Sequence, residues 1–177
     1  VSVENGEITV RCKGDGEFFL RALCKNGTEK YHILTALKLT GEGLGAASFN
    51  PYELVLGGLH TVQTDNISNG IERGAGFANE NSWFGFENVD FGSIGSDTVT
   101  VPIFANCTTP VKIRFYDGIP GEGGEMIGEF SYHEPPQWLT YIPNTFKLNK
   151  VLKGMHTFVM ESDDGYNVQG FVFQKPD

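Results

Sequence analysis

The chain has 177 residues, a formal net charge of −9 and an isoelectric point near 4.9. An acidic surface with no Lys/Arg cluster repels phosphate backbones, and no window approaches the roughly 18 apolar residues a bilayer crossing needs, so neither nucleic acid nor membrane is expected as a partner. Aromatics make up 12% of the chain, with 14 Phe and 23 Gly, and sustained helical periodicity is absent, so the expected class is all-β, short strands joined by glycine turns. The length suits one large β domain or a standard domain with an appendage. The chain begins at Val1 and shows no secretion signal. It is expected to be a piece of a longer protein, so its compartment stays open, with an extracellular or cell-surface setting favoured.

In chain order, residues 8–12 (ITVRC) read as a strand, Gly14-Asp15-Gly16 as a turn and residues 18–25 (FFLRALCK) as a second strand. Asn26-Gly27 marks another turn. Residues 31–40 (YHILTALKLT) suit either a strand or a short helix, because their apolar run has no clear period. Three strands cannot bury a core by themselves, so residues 1–48 are expected to be a small β appendage or the tail of a preceding domain. Residues 49–82 are rich in Gly, Asn, Thr and Asp, and read as loop with short edge strands.

Strands are then predicted over 83–91, 98–104, 111–116 and 126–132. Alternation is clearest in the third, where Val111, Ile113 and Phe115 take one face and Lys112 and Arg114 the other. The final stretch predicts a three-strand meander over 138–148, 155–160 and 168–173, turning at Gly154 and at Asp163-Asp164-Gly165. Trp138 and Asn167 open its first and last strands, so both can project from one edge of a sandwich. The sum predicts a jelly-roll β-sandwich over residues 49–177.

Little in the chain points to catalysis. No G-x-S-x-G elbow is present, and His32, His60, His133 and His156 stand at no metal-binding spacing. A pair such as Glu72 with Glu80 is one example of a paired-carboxylate arrangement, but 22 acidic residues make some such pair inevitable. The fragment is read as non-enzymatic. Cys12, Cys24 and Cys107 are odd in number and lack C-x-x-C spacing, which argues against zinc and leaves buried thiols or one disulfide with a spare thiol.

Three pieces of the C-terminal half resemble family 6 carbohydrate-binding modules: Trp138-Leu139-Thr140-Tyr141, Gly154-Met155-His156-Thr157-Phe158 and Asn167-Val168-Gln169-Gly170-Phe171-Val172-Phe173. Gly76-Phe77 followed by Trp83 is similar to the family's aromatic platform element. The resemblance implies a non-catalytic module that binds a sugar at the loop edge, with Phe77 and Trp138 as stacking faces, Asn167 as the hydrogen-bonding amide and Trp83 in the core. A pyranose offers an apolar C–H face to such rings, and an asparagine amide matches vicinal hydroxyls. Glu72, Asn79, Glu80 and Tyr166 are candidate rim contacts, while Tyr141, Phe146, Phe158, Phe171 and Phe173 are expected in the core.

Members of that family often hold a structural calcium. Glu53 matches one ligand position loosely, but Gln169 stands where an aspartate would be, and a neutral amide is a poorer ligand, so no cofactor is expected and Glu53 is the one candidate metal ligand. Residues 1–48 resemble the end of an immunoglobulin-like region found before the terminal module in bacterial family 2 glycoside hydrolases of the β-galactosidase type. That implies carbohydrate and a catalytic domain of the same chain as partners. The competing reading is a scaffold domain of such an enzyme with no ligand of its own.

Overall fold

The structure is a computed structural model that describes residues 2–11, 14–25, 32–43, 47–70, 74–77, 82–104, 109–134, 140–165 and 167–176. The chain divides into two compact units, Val1–Ser48 and Phe49–Asp177. The first holds two hairpins. Strands β1 (Ser2–Glu4) and β2 (Glu7–Thr9) pair across Asn5-Gly6, both at positive φ (52° and 80°), the turn that best matches strand twist. Strands β3 (Gly16–Lys25) and β4 (His32–Gly41) pair in register over ten positions, from Gly16 against Gly41 to Lys25 against His32. Cross-strand pairing thus settles residues 32–41 as strand. Cys12 and Cys107 lie outside the described residues.

The second unit is a jelly-roll β-sandwich, the fold class the sequence predicts. Its strands are β5 (Val55–Leu56), β6 (Val62–Gln63), β7 (Ile67–Gly70), β8 (Gly74–Phe77), β9 (Ser82–Asp90), β10 (Ser96–Phe104), β11 (Val111–Asp117), β12 (Glu125–Tyr132), β13 (Ile142–Leu152), β14 (Met155–Ser162), β15 (Asn167–Val168) and β16 (Gly170–Phe173). One sheet runs β12-β11-β14-β9-β6. In the other, β10 is flanked by β13 on one side and by β15 and β16 on the other, and β5 and β8 pair beyond those. All these pairs are antiparallel. Among the described residues no helix is long and apolar enough to cross a membrane.

Alternation dictates the core. Val111, Ile113 and Phe115 on β11 are buried while Lys112 points out, and on β10 Val99, Val101 and Ile103 are buried. Phe158 joins the two sheets, stacking on Phe115 at 5.7 Å and meeting Phe171 and Phe173 at 4.9 and 5.1 Å. Such fully buried rings dominate the energetics of a sandwich this size. A bulge interrupts the β9–β14 ladder between His156 and Phe158; opposite it Asn88 takes a positive φ of 56°, and its carbonyl accepts a hydrogen bond from the Phe49 amide at 2.9 Å.

Candidate functional site

At one end of the sandwich β10 finishes at Phe104 and β15 begins at Asn167, and these two residues are register partners. Their neighbours, Ile103 and Val168, also pair and are fully buried. Side chains alternate along a strand, so Phe104 and Asn167 belong to the face opposite that buried pair. On its other side Asn167 is in register with Gly76 of β8, which adds no side chain beside the amide. Strand β13 opens at Ile142, opposite Ile103, which brings Tyr141 to the same end, its ring 6.3 Å from that of Phe104 at 72°. Phe104, Tyr141 and Asn167 are all partly exposed. The edge therefore combines aromatic surface with an amide that can donate and accept in one plane, the chemistry that suits a ligand with C–H faces and adjacent hydroxyls.

Of the residues singled out in the sequence, Asn167 is at this edge. Phe77 ends β8, in register with Ile67 and one position beyond Gly76; its side chain is outside the described residues. Trp138 lies in residues 135–139, also outside them, as do Glu72, Asn79, Glu80 and Tyr166. Tyr141, expected in the core, is instead half-buried at the edge, because β13 starts at Ile142 and not at position 138. Phe146, Phe158, Phe171 and Phe173 are buried as expected. Phe104 carried no signal in the sequence, since its strand's alternation alone does not reveal which neighbours meet its last residue.

Trp83 is a second correction. It is half-buried and lies outside the core, because the neighbouring Phe84 takes the core face and alternation turns position 83 outward. There it is in register with Glu161, which in turn faces Arg114. Arg114 donates to Glu129 at 2.8 Å, Glu161 at 2.9 Å and Asp163 at 2.6 Å. Burial would lower the guanidinium pKa, but these three carboxylates hold it above its ordinary value. Burial and the Glu161 charge push the Tyr116 hydroxyl up. A second network joins Asp117 to Lys150 at 2.7 Å and to His156 Nδ1 at 2.8 Å.

Glu53 is exposed in the loop before β5. The β5–β16 ladder pairs Val55 with Phe171 and Leu56 with Gly170, and the Gly57 amide donates to the Gln169 carbonyl at 2.8 Å. Gln169 is thus aligned with Gly57, four positions along from Glu53. Among the described residues no group of three or more His, Cys, Asp or Glu side chains is arranged to hold a metal.

No family model matches the sequence, and no curated protein is similar to it. Solved structures do share its fold. CsCBM6-3 from Clostridium stercorarium, solved in complex with cellobiose, superposes with a TM-score of 0.63 at 18% identity, over 73% of this chain and 98% of that one. A β-1,3-glucan-binding CBM6 from Bacillus halodurans gives 0.60 at 19% identity, over 72% and 98%. A family 43 arabinoxylan arabinofuranohydrolase from Bacillus subtilis, in complex with cellotetraose, gives 0.58 at 15% identity, covering 77% of this chain and 31% of that enzyme.

Proposed function

We propose that residues 49–177 form a non-catalytic carbohydrate-binding module, holding a sugar at the loop edge through stacking on Trp138 and Phe77 and hydrogen bonding to Asn167. The observation that carries this reading is the register that sets Asn167 between Phe104 and the bare Gly76, at the end of a sandwich whose fold is shared with sugar-binding modules. Phe104 and Tyr141 add aromatic surface to the same edge. A parent glycoside hydrolase, with residues 1–48 as the end of an immunoglobulin-like region, belongs to the same proposal. Its support is the likeness to one part of an arabinofuranohydrolase, which fits a module attached to a catalytic domain.

The test pairs binding with stability. Trp138→Ala should lose roughly 1.5 to 3 kcal/mol of binding on a glycan panel, about ten- to a hundredfold or more, with little change in thermal stability. A tryptophan buried as scaffold would instead cost about 3 to 5 kcal/mol of folding free energy when cut to alanine. Unchanged binding with that stability loss refutes the platform role, and no glycan bound by the parent chain favours the scaffold.

A further inference from the structure

The far end of β10 from Asn167 opens into a groove of about 630 Å³, within the range of small-ligand sites. Among the described residues, Lys147, Lys153 and Lys175 line it against a single acid, Asp97. In a chain with 13 cationic and 22 acidic residues, that is a local inversion of sign. Lys147 is tied to Asp97 at 2.6 Å, which leaves Lys153 and Lys175; among the described residues neither has a carboxylate partner.

Both of those lysines are held in place. Gly95 has a φ of +76°, and a Cβ there would lie 2.4 Å from Lys153 Cγ and 3.1 Å from its Cε, so the lysine stem lies across the space that Gly95 leaves. The Lys175 ammonium sits 5.3 Å from the centre of the Tyr52 ring. The segment bearing Lys175 is fixed to β10 by Ser96, whose hydroxyl donates to the Gln174 carbonyl at 2.6 Å. Cations held this way lose less freedom when they bind than free surface lysines do. The groove is also lined by Ile94 and Val151, both about half-exposed, and by Gln174.

We propose that this groove is a second binding site, for a saccharide whose rings carry carboxylate or sulfate groups. Such a ring presents an apolar C–H face to Ile94 and Val151, hydroxyls to Gln174 and an anionic group to Lys153 and Lys175. The chain's overall negative charge does not prevent this, because screening confines exposed charges to about 8 Å at physiological salt, so at contact distance the nearby ammonium groups dominate. The site is separate from the loop edge and does not depend on sugar binding there.

Calorimetric titration of the 177-residue chain with an oligogalacturonate, a sulfated galactan fragment, a neutral cello-oligosaccharide and inorganic sulfate tests the proposal. At least one of the two anionic oligosaccharides should bind, more weakly as salt rises from about 0.05 to 0.3 M. Lys153→Ala/Lys175→Ala should weaken that binding about tenfold, two exposed ion contacts at a few-fold each, with unfolding temperature unchanged. Lys153→Arg/Lys175→Arg should retain it, and so should Asn167→Ala. The proposal is overturned if neither anionic oligosaccharide binds, if the double alanine variant binds as well as the parent, if Asn167→Ala is the change that removes binding, or if inorganic sulfate binds as tightly as the oligosaccharides.

Discussion

Gly170 sits in the last strand, in register with Leu56, where β5 crosses unusually close. A Cβ on Gly170 would lie 2.0 Å from the Val55 carbonyl oxygen, 2.9 Å from its carbon and 3.1 Å from the Leu56 Cα. Ordinary contact needs about 3.5 Å, so in Gly170→Ala β5 must retreat by roughly 1.5 Å, and the obstacle is backbone that cannot swing aside. That retreat stretches two hydrogen bonds, from the Gly57 amide to the Gln169 carbonyl at 2.8 Å and from the Phe173 amide to the Pro51 carbonyl at 2.7 Å, and unseats Val55 and Leu56 from the core. With about 1 kcal/mol per weakened bond and 1 to 3 kcal/mol for overpacking, the substitution should cost about 2 to 4 kcal/mol. For a chain of this length that lowers the unfolding temperature by roughly 5 to 15 °C. Gly154→Ala provides the comparison: φ is +78° but the space is open, so only backbone strain of about 1 to 2 kcal/mol applies. Thermal unfolding followed by circular dichroism reads both. A Gly170→Ala variant within 0.5 kcal/mol of the parent, or milder than Gly154→Ala, refutes the reasoning.

Arg114→Met should destabilise by roughly 2 kcal/mol in denaturant titration, since it strips the shared cation from Glu129, Glu161 and Asp163; an effect below 0.5 kcal/mol means the lattice is decorative. Burial pushes the Asp117 pKa up, but hydrogen bonds from Lys150 and His156 outweigh it and hold the group below its ordinary 3.8. A depressed folded value adds stability that is present above pH about 3.8 and is lost as the pH falls through the lower folded value, so the gap in unfolding temperature between the parent and Asp117→Asn should close on that descent. A gap that stays constant from pH 7 to 2.5 contradicts the assignment. A fragment of residues 49–177 should unfold in one cooperative transition, as expected of a unit with its own core; a broad, non-cooperative melt means residues 1–48 are needed.

What the sequence reveals most directly is alternation. The strand carrying Val111, Ile113 and Phe115 is legible in boundaries and in face, because one apolar face against charged neighbours leaves a single reading. Residues 32–41 are not, since their apolar run suits helix as well as strand, and only the ten-position ladder with β3 decides. The Asn5-Gly6 hairpin was available from the dipeptide alone, yet the strands around it are three residues each, too short for a pattern to stand out. Trp83 shows the deeper limit: an aromatic at a strand's start reads as core, and whether it faces in or out depends on register with Glu161, set by a strand 78 positions away. The same holds at the loop edge. Asn167 is legible as a strand opening, but its company of Phe104, Gly76 and Tyr141 arises from pairings among four strands dispersed along the sequence.

That company also bears on what the edge is for. The buried core runs from Val55 to Phe173 and includes neither Phe104 nor Tyr141, and neither ring is among the partly buried side chains packed against it. Asn167 is a strand's first residue, next to Val168, which is fully buried. Membership of the buried core therefore does not by itself account for an aromatic pair beside an amide at this edge. A binding surface placed outside the core on strands anchored by it has a characteristic signature: its substitutions change affinity while leaving the unfolding transition in place. Asn167→Ala should follow that pattern, weakening binding of the glycan found on the panel by about tenfold, the worth of one amide's hydrogen bonds, while shifting stability by less than about 0.5 kcal/mol. If it melts the protein and spares the affinity, the edge is part of the fold's own support and the sugar lies elsewhere.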